Sequence, residues 1–518
     1  MRTLLMFADR DFQVDRDERV GEQDLVQDLE LNTVWDAMAL GDEVVHASAR
    51  TALLSGLTTV EEIRYRQAVL TDCLQQPAAV REIYALAVQA VAEERKIYRS
   101  MFSNRGETLL HRSITVLDMF LPVLKQLRKL TEQHADRFAS NGFVQFFDTL
   151  RRELDDDYFE EMFQHLRQLR FHDGVLMSAR LGERSQGIDY VLRTPRPENR
   201  GKFLFRRPAL NKPTYSRTIP ARDLAGGQAL RKLRNRGVSL VANALGQSTD
   251  HILSFFVALR TELGFYVGCL NLHDQLTAKS EPECLPEPHP LGASVWSGQG
   301  MYDPCLSLRM PERVHGNDLS GGGKPLIIIT GANQGGKSTF LRGVGVAQLM
   351  MQAGMFVAAE SFSATIANGV FTHFKREEDA TMTSGKFDEE LHRMSTIAQA
   401  IHSGCLLICN ESFAATNERE ASQIAAEFLH AMTTIGVQVV FVTHLYELAH
   451  RYYQQHAGTT LFLRADRGSD GHRSFRIAAG EPLPTSYGED LYWHTFADAP
   501  TDPGPAAITD DHRARQVR

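Results

Sequence analysis

One short run of residues constrains the fold of this 518-residue chain more than any other feature. Residues 331–338 read GANQGGKS, which matches the pattern G-x-x-x-x-G-K-[ST]. They follow the apolar run Leu326 to Thr330 and precede a helical pattern. In that order, the backbone N–H groups of the loop and the N-terminus of the helix can face phosphate groups. The run therefore predicts a phosphate-binding loop within a sheet flanked by helices.

The side chains of this loop predict separate roles within one nucleotide site. We expect Lys337 to place a positive charge on the β and γ phosphates of ATP, and Ser338 to offer its hydroxyl to Mg²⁺. The alternative is a glycine-rich turn that merely carries a lysine, and the flanking strand and helix argue against it. The predicted ATP-binding residues are Gly331, Ala332, Asn333, Gln334, Gly335, Gly336, Lys337, Ser338 and Thr339.

A second apolar run ends in residues of the kind that nucleotide hydrolysis needs. Residues 405–413 read CLLICNESF, a strand pattern that ends at Asn410 and Glu411. The usual order is Asp then Glu, where the first holds Mg²⁺ through water and the second positions the attacking water. Because Asn410 carries no charge, we expect weak Mg²⁺ affinity and slow turnover, with Ser338 and Asn410 as the metal ligands. Glu411 is the predicted catalytic base.

A third apolar run, Val437 to Val442, ends at Thr443 and His444. A lone histidine at such a position is more often a structural residue than a catalytic one. After the loop and the acidic strand end, however, a histidine here could reach the γ-phosphate. His444 is therefore a predicted catalytic residue together with Glu411 and Lys337.

The chain divides at a segment rich in proline and glycine. Before this segment, apolar residues recur at the spacing of long helices; after it, strand-like runs alternate with helical ones. The pattern predicts a mixed fold, with an all-α N-terminal region followed by an α/β nucleotide domain. The predicted parts are a helical region 1–280 with a strand-containing excursion at about 173–226, a linker and domain entry 281–324, a nucleotide domain 325–496 and a disordered tail 497–518.

Composition narrows the setting of the protein. The 56 Lys and Arg residues against 64 Asp and Glu give a net charge of −8, which argues against attraction of the whole chain to nucleic acid. The six cysteines are scattered without a metal-binding pattern, so we expect a reducing, cytoplasmic setting. No apolar run of membrane-spanning length is evident, and no membrane partner is expected.

Positive charge is nevertheless concentrated in one segment. Residues 193–236 contain 13 Lys or Arg and two acids, so this segment carries +11 and the remainder of the chain −19. Such segregation predicts contact with the phosphate backbone of DNA. A solvated basic face, or one paired with acids elsewhere, is the alternative. The predicted DNA-binding residues are Arg206, Arg207, Lys212, Arg231, Lys232 and Arg234.

Several segments, taken in order, resemble the MutS-like ATPases of DNA mismatch repair. They are GANQGGKSTFLR, GMFVAAESFSATIANGVFTHF, CLLICNESFAAT and FVTHLYEL, with PTSYGEDL at residues 484–491 similar to the SYG segment of that family. The resemblance covers most of residues 315–495. Upstream, IRYRQAVL at 63–70 and ELGFYVGCLNL at 262–272 resemble the helical lever domain of the family, and the excursion between them occupies the place of its DNA-embracing clamp.

The resemblance implies a homodimer with ABC-type P-loop heads, in which each nucleotide lies between the loop of one subunit and a signature segment of the other. In DATMTSGKFDEEL, Gly385 stands where the family has a phosphate-contacting serine, and Ser384 is its neighbour. The chain opens almost directly into lever-like helices. We therefore expect the mismatch-recognition and connector domains to be missing, and no recognition of mismatches by base stacking.

Together these features predict an ATP-dependent DNA-binding protein. It would act as a dimeric, nucleotide-gated clamp that recognises DNA structure or backbone, with slow and DNA-stimulated ATP hydrolysis. A second reading stays open, because Asn410 weakens the hydrolytic site. In that reading the chain binds nucleotide, hydrolyses little, and has another protein as its partner.

Overall fold

The structure is a computed structural model in which a helical part packs against a part built on sheets. The mixed helix-and-sheet class predicted from the sequence is confirmed. The residues described are 1–97, 106–171, 174–183, 187–193, 215–216, 218–332, 334–376, 385–467 and 473–484. The predicted site residues Asn333, Ser384, Arg206, Arg207 and Lys212 lie outside these ranges, as does the predicted tail 497–518.

The helical part is built from nine helices within the described ranges. Side chains at the N-terminal ends of several of them accept backbone N–H groups; Asp42, Thr59, Ser140 and Asp155 cap helices in this way. The helices are α1 (Glu22–Asp28), α2 (Leu31–Ala39), α3 (Glu43–Ser55), α4 (Val60–Gln75), α5 (Pro77–Lys96), α6 (Gly106–His134), α7 (Asn141–Glu153), α8 (Asp156–Leu169) and α9 (Leu224–Thr277).

The long helix α9 organises this part. Its 54 residues span about 80 Å. Residues 261–272 are buried on every side, and α9 contacts α2, α3, α5 and α6. By length and composition α9 would also pass as a membrane span, although the sequence showed no obvious run of that length; 72% of its apolar window is buried inside the protein. Such burial is typical of a helix at the centre of a folded core.

The excursion predicted before α9 contains a hairpin. Strands β1 (Met177–Leu181) and β2 (Gly187–Leu192) pair antiparallel. The hairpin lies against α9, where Met177 packs at Gly237. Because Gly237 has no side chain, the hairpin can approach the helix closely.

The second part has two sheets. The six-stranded sheet has the order β12-β11-β6-β10-β9-β8 and is parallel except for β12, and the four-stranded sheet has the order β3-β7-β4-β5. The strands are β3 (Glu287–His289), β4 (Trp296–Met301), β5 (Asn317–Ser320), β6 (Leu326–Gly331), β7 (Ser361–Thr365), β8 (Val370–Phe374), β9 (Leu406–Asn410), β10 (Gln438–Val442), β11 (Thr460–Arg467) and β12 (Arg473–Ala479). The helices are α10 (Pro304–Arg309), α11 (Lys337–Gln352), α12 (Lys386–Ala400), α13 (Glu418–Thr434) and α14 (Tyr446–His456).

Residues 281–324 differ from the linker and domain entry expected of them. The structure places β3, β4, α10 and β5 in this segment, and the three strands form a sheet with β7. Some of the prolines and glycines that suggested a linker stand in turns between these short strands; Gly292 and Gly323, for example, have positive φ angles. The segment is therefore part of the folded second part.

A buried arginine joins the two parts at the end of α11. Arg66 of α4 donates from Nε to the carbonyl of Met6 at 2.9 Å and from Nη1 to the carbonyl of Ala353 at 3.2 Å. Beside it, the backbone N–H of Leu57 donates to the carbonyl of Gln352 at 2.7 Å. The helix that begins at the glycine-rich loop therefore ends in direct contact with the helical part.

Candidate nucleotide site

The glycine-rich loop between β6 and α11 depends on backbone conformations that glycine supplies. Gly331 and Gly336 have φ angles of 109° and 86°, in the left-handed region. A side chain at Gly331 would also meet the backbone of Ala465 in β11 at 2.8 Å. The loop thus curls tightly against the sheet and directs the N-terminus of α11 toward its own concave side, as anion binding requires.

Lys337 is the first residue of α11 and is 5% exposed. Its Nζ donates to the carbonyls of Gly331 at 3.0 Å and Ala332 at 2.8 Å. Burial lowers the pKa of Lys337 to about 8, and the nearby charge of Glu411 partly opposes this shift. An ammonium group has three N–H donors, so one remains for a ligand beyond these two carbonyls.

Ser338 and Asn410, the two predicted metal ligands, lie in direct contact. The hydroxyl of Ser338 donates to Oδ1 of Asn410 at 3.1 Å. Asn410 ends β9, which is two strands away from β6 in the sheet. The two oxygens are neutral, whereas Mg²⁺ in proteins is usually held by one or two carboxylates and the substrate phosphates.

Glu411 and His444 also meet, although 33 positions separate them in the chain. Nε2 of His444 lies 2.9 Å from Oε1 of Glu411, and both side chains are about one-third exposed. The hydrogen bond from His444 is the main cause that lowers the pKa of Glu411, while burial acts in the opposite direction. Glu411 therefore stays ionised and oriented at the mouth of the site, as a group that positions water must be.

Lys375 is a charged residue of this site that the sequence reasoning missed. Its Nζ lies 3.7 Å from Oε2 of Glu411. It follows β8 directly, and its backbone N–H donates to the carbonyl of Asn410 at 2.9 Å. No recognised motif marks this lysine. The signal available was its place at the carboxyl end of a strand, where ligands of parallel sheets bind.

Phe475 of β12 was also missed. The residue is 46% exposed, and a Cβ placed on Gly336 would lie 3.7 Å from its ring. Phe475 has a positive φ of 54°, and Asn317 binds the backbone that follows this strained position, donating to the carbonyl of Phe475 at 3.1 Å and accepting from the N–H of Ile477 at 2.7 Å. An exposed aromatic ring is therefore held beside the loop.

The predicted signature residue Gly385 precedes α12, and a side chain there would meet open space. From α12, the carboxylate of Glu390 accepts the backbone N–H of Phe413, two residues after Glu411. His373 lies between these elements, with Nδ1 2.7 Å from the hydroxyl of Ser412, and burial lowers its pKa to about 4. The start of α12 is thus connected to the strand end that carries Glu411.

The predicted DNA-binding residues within the described ranges lie far from this site along the sequence, on the N-terminal part of α9. Arg231 and Lys232 are exposed, and Arg234 is half-buried and lies 3.4 Å from Glu107 of α6. They line a groove of about 1430 Å³ between α6 and α9, called here the α6–α9 groove. The charged residues that line it are Arg170, Arg231, Lys232, Arg234, Arg236, Glu107 and Asp118.

The fold and the site define the class of this chain as a candidate nucleotide-binding protein, with a glycine-rich loop at the carboxyl edge of a largely parallel sheet. Comparison with known families then adds two matches. Residues 58–279 match the model of the MutS2 N-terminal domain, and residues 327–491 match the model of MutS domain V. The chain belongs to the MutS-related proteins, as the resemblance of its motifs predicted; the match of its helical part to MutS2 was not predicted.

Individual relatives cover only part of the chain. It is 30% identical over 152 residues to MutS protein homolog 4 of Mus musculus, covering 29% of this chain and 16% of that protein. It is 28% identical over 200 residues to the DNA mismatch repair protein MutS of Chloroflexus aurantiacus, covering 35% and 21%. It is 31% identical over 140 residues to Endonuclease MutS2 of Lactiplantibacillus plantarum, covering 27% and 18%. The chain thus matches about a fifth or less of the length of these relatives.

Proposed function

We propose that this protein is an ATP-dependent DNA-binding protein whose second part is a P-loop ATPase domain of ABC type. One observation carries the proposal: the curled loop with Lys337 and the hydrogen-bonded pair of Glu411 and His444 lie at the same edge of one sheet. A phosphate-binding loop beside an oriented carboxylate is the arrangement that nucleotide hydrolysis needs.

Each group has a role in this proposal. The loop N–H groups and Lys337 bind the phosphates, Glu411 positions the attacking water, and His444 holds Glu411 and reaches toward the γ-phosphate. The ring of Phe475 is placed to stack on the base of the nucleotide. Mg²⁺ would neutralise phosphate charge beside Ser338 and Asn410, but two neutral oxygens are a poor match for this ion, so we assign it no step.

The α6–α9 groove is the proposed contact for DNA. Its lining has five Lys or Arg residues and two acids. An excess of exposed positive charge in a groove favours the DNA backbone without selecting a base sequence. The hairpin of β1 and β2, packed on the same helix, belongs to the proposed clamp.

Nucleotide and DNA would be coupled through α11 and the helical part. ATP held between two heads of a homodimer makes contacts that the open state lacks, and such differential contacts can shift the conformation of the whole molecule. Gln352, at the far end of α11, accepts a hydrogen bond from the helical part at 2.7 Å. A shift of α11 therefore acts directly on that part. The six cysteines are free thiols, which fits the proposed cytoplasmic setting.

The test is DNA-stimulated ATP hydrolysis by the full chain and two variants. We expect Lys337→Ala and Glu411→Gln to abolish hydrolysis, while Glu411→Gln still binds ATP. Lys129→Ala and Glu427→Gln change exposed residues of the same types on α6 and α13 and serve as matched controls. Equal hydrolysis rates in the wild type and both site variants would refute the assignment.

A second candidate function rests on the neutral side chain of Asn410. In this case ATP binds and pairs the heads, hydrolysis is negligible, and the partner is a protein. Asn410→Asp distinguishes the two functions, since it restores a carboxylate 3.1 Å from Ser338. A large gain in turnover would favour the nucleotide-binding interaction protein, whereas little change would show that the site with Asn410 is already competent.

A further inference from the structure

The candidate site has little negative charge for a metal and an unusual excess of positive charge. Within the described part of the chain, the basic groups of the site act on the carboxylate of Glu411: the hydrogen bond from His444 and the charges of Lys375 and Lys337 all lower its pKa. The oxygens at the predicted metal position, on Ser338 and Asn410, are neutral and bind each other. Among the described residues, no group of three or more His, Cys, Asp or Glu could hold a metal ion.

Lys375 is the cation that a phosphate loop does not require. Its backbone is fixed, because its N–H donates to the carbonyl of Asn410 at 2.9 Å. The next residue, Arg376, is held by Asp24 and Asp28 of α1 at 2.7 and 2.9 Å. The side chain of Lys375, in contrast, is 41% exposed. A firmly anchored backbone thus presents a partly exposed ammonium group to the side of the site where Glu411 lies.

The interaction between Lys375 and Glu411 is too weak to be the final position of this ammonium group. At 3.7 Å it is longer than a hydrogen bond, and both groups are partly exposed. Ion pairs between exposed groups of this kind contribute roughly 0–1 kcal/mol to the stability of a protein. The phosphate groups of a nucleotide carry more negative charge than the carboxylate of Glu411, and their oxygens form short, charge-assisted hydrogen bonds with ammonium groups. Exchange of Glu411 for phosphate is therefore favourable once a nucleotide occupies the loop.

We propose that Lys375 is a phosphate-binding residue that supplies, from the chain itself, part of the positive charge that a divalent cation would bring to the triphosphate. This inference rests on the proposed nucleotide site and adds a property to it: ATP binds with little dependence on Mg²⁺. When Nζ of Lys375 moves to the phosphate, Glu411 keeps its hydrogen bond to His444 and is released from the ammonium group of Lys375.

The test is calorimetric titration of the full chain with ATP, once with Mg²⁺ and once with EDTA. We expect the wild type to bind under both conditions with Kd values within about tenfold of each other. In EDTA, Lys375→Met should weaken ATP binding by roughly tenfold to hundredfold, the effect of removing one hydrogen bond to a charged group. With Mg²⁺ present the reduction should be smaller. Lys375→Arg keeps the charge and should retain most of the affinity.

Two controls make the result specific. Lys129→Met makes the same change on the exposed side of α6 and should leave both Kd values unchanged. ADP, titrated in EDTA, should lose less affinity than ATP in Lys375→Met if the lysine contacts the terminal phosphate. Lys375→Gln is a second neutral variant for use if Lys375→Met does not fold, as judged by its circular dichroism.

The outcomes separate this inference from the proposed function. If the wild type binds no ATP with or without Mg²⁺, the proposed function is wrong. If it binds only with Mg²⁺, or if Lys375→Met matches it in EDTA, the site exists and the inference is wrong. Faster hydrolysis by Lys375→Met with unchanged affinity in EDTA would likewise overturn it, because Lys375 would then act as a restraint on Glu411.

Discussion

A buried cationic side chain lies at each end of α11. Comparison of the two shows how a cation that stabilises the fold differs from one that can bind a ligand. At the C-terminal end, Arg66 is 1% exposed; it donates to two carbonyls, and its guanidinium lies 4.5 Å from the centre of the Phe7 ring. At the N-terminal end, Lys337 also donates to two carbonyls, but it stands beside an open loop. The guanidinium of Arg66 is enclosed by protein, whereas the ammonium group of Lys337 keeps one N–H donor for a ligand.

Removal of the Arg66 side chain should give the largest effect and tests its structural role. We expect Arg66→Ala to lower the free energy of unfolding by about 3 kcal/mol or more, because it leaves a cavity and two buried carbonyls without donors. Urea unfolding followed by circular dichroism measures this change. Arg64→Ala, two residues earlier in α4 and exposed, should change it by less than about 0.5 kcal/mol. Equal effects of the two variants would show that Arg66 does not join the two parts.

The exposed cations of the α6–α9 groove extend the comparison. They should contribute to DNA binding and have little effect on the stability of the protein. We expect Arg231→Glu combined with Lys232→Glu to weaken DNA binding and to reduce the dependence of log K on log salt by about 0.9 for each DNA phosphate that the protein no longer neutralises. Gel-shift titrations at several salt concentrations measure both effects. Arg152→Glu, on the exposed side of α7, is the control. An unchanged salt dependence would place the DNA-binding surface elsewhere on the molecule.

The pH dependence of stability gives the most gradual effect, spread over the interval between two pKa values, and sharpens the description of Lys337. Because burial holds its pKa at about 8 in the folded state, against 10.5 for an ordinary lysine, the unfolded chain binds more protons between these two values. The contribution of Lys337 to the free energy of unfolding therefore rises as pH increases from 8 to 10.5, by at most about 1.4 kcal/mol per pH unit. Lys337→Met should remove this rise, and Lys129→Met should keep it. Identical pH profiles of wild type and Lys337→Met would refute the burial of an ionisable ammonium group.

The sequence was most informative where strands are buried on both faces. Strands β6, β9 and β10 appear as continuous apolar runs, and polar residues with distinct chemistry follow each of them, so Lys337, Glu411 and His444 could be predicted as site residues from the chain alone. The parallel order of these strands then brings their carboxyl ends together. The meeting of Glu411 with His444 follows from that order.

Other parts of the site depend on tertiary interactions that no local pattern predicts. Lys375 reaches Glu411 because β8 lies next to β9, and Phe475 reaches the loop because β12 returns antiparallel beside β11. Residues 281–324 were misjudged for a different reason. Strands of three to six residues with intervening prolines and glycines have the composition of a linker, and only pairing with β7 makes them a sheet.

The uninterrupted course of α9 has a geometric consequence for the molecule. One end of this helix is enclosed by the helical core, and the other lines the α6–α9 groove, so a single helix about 80 Å long connects the two. A tilt of about 5° at the enclosed end displaces the far end by roughly 7 Å, about the width of a DNA minor groove. In the proposed coupling of nucleotide and DNA, a small movement at the sheet would therefore reach the groove as a displacement on the scale of a double helix.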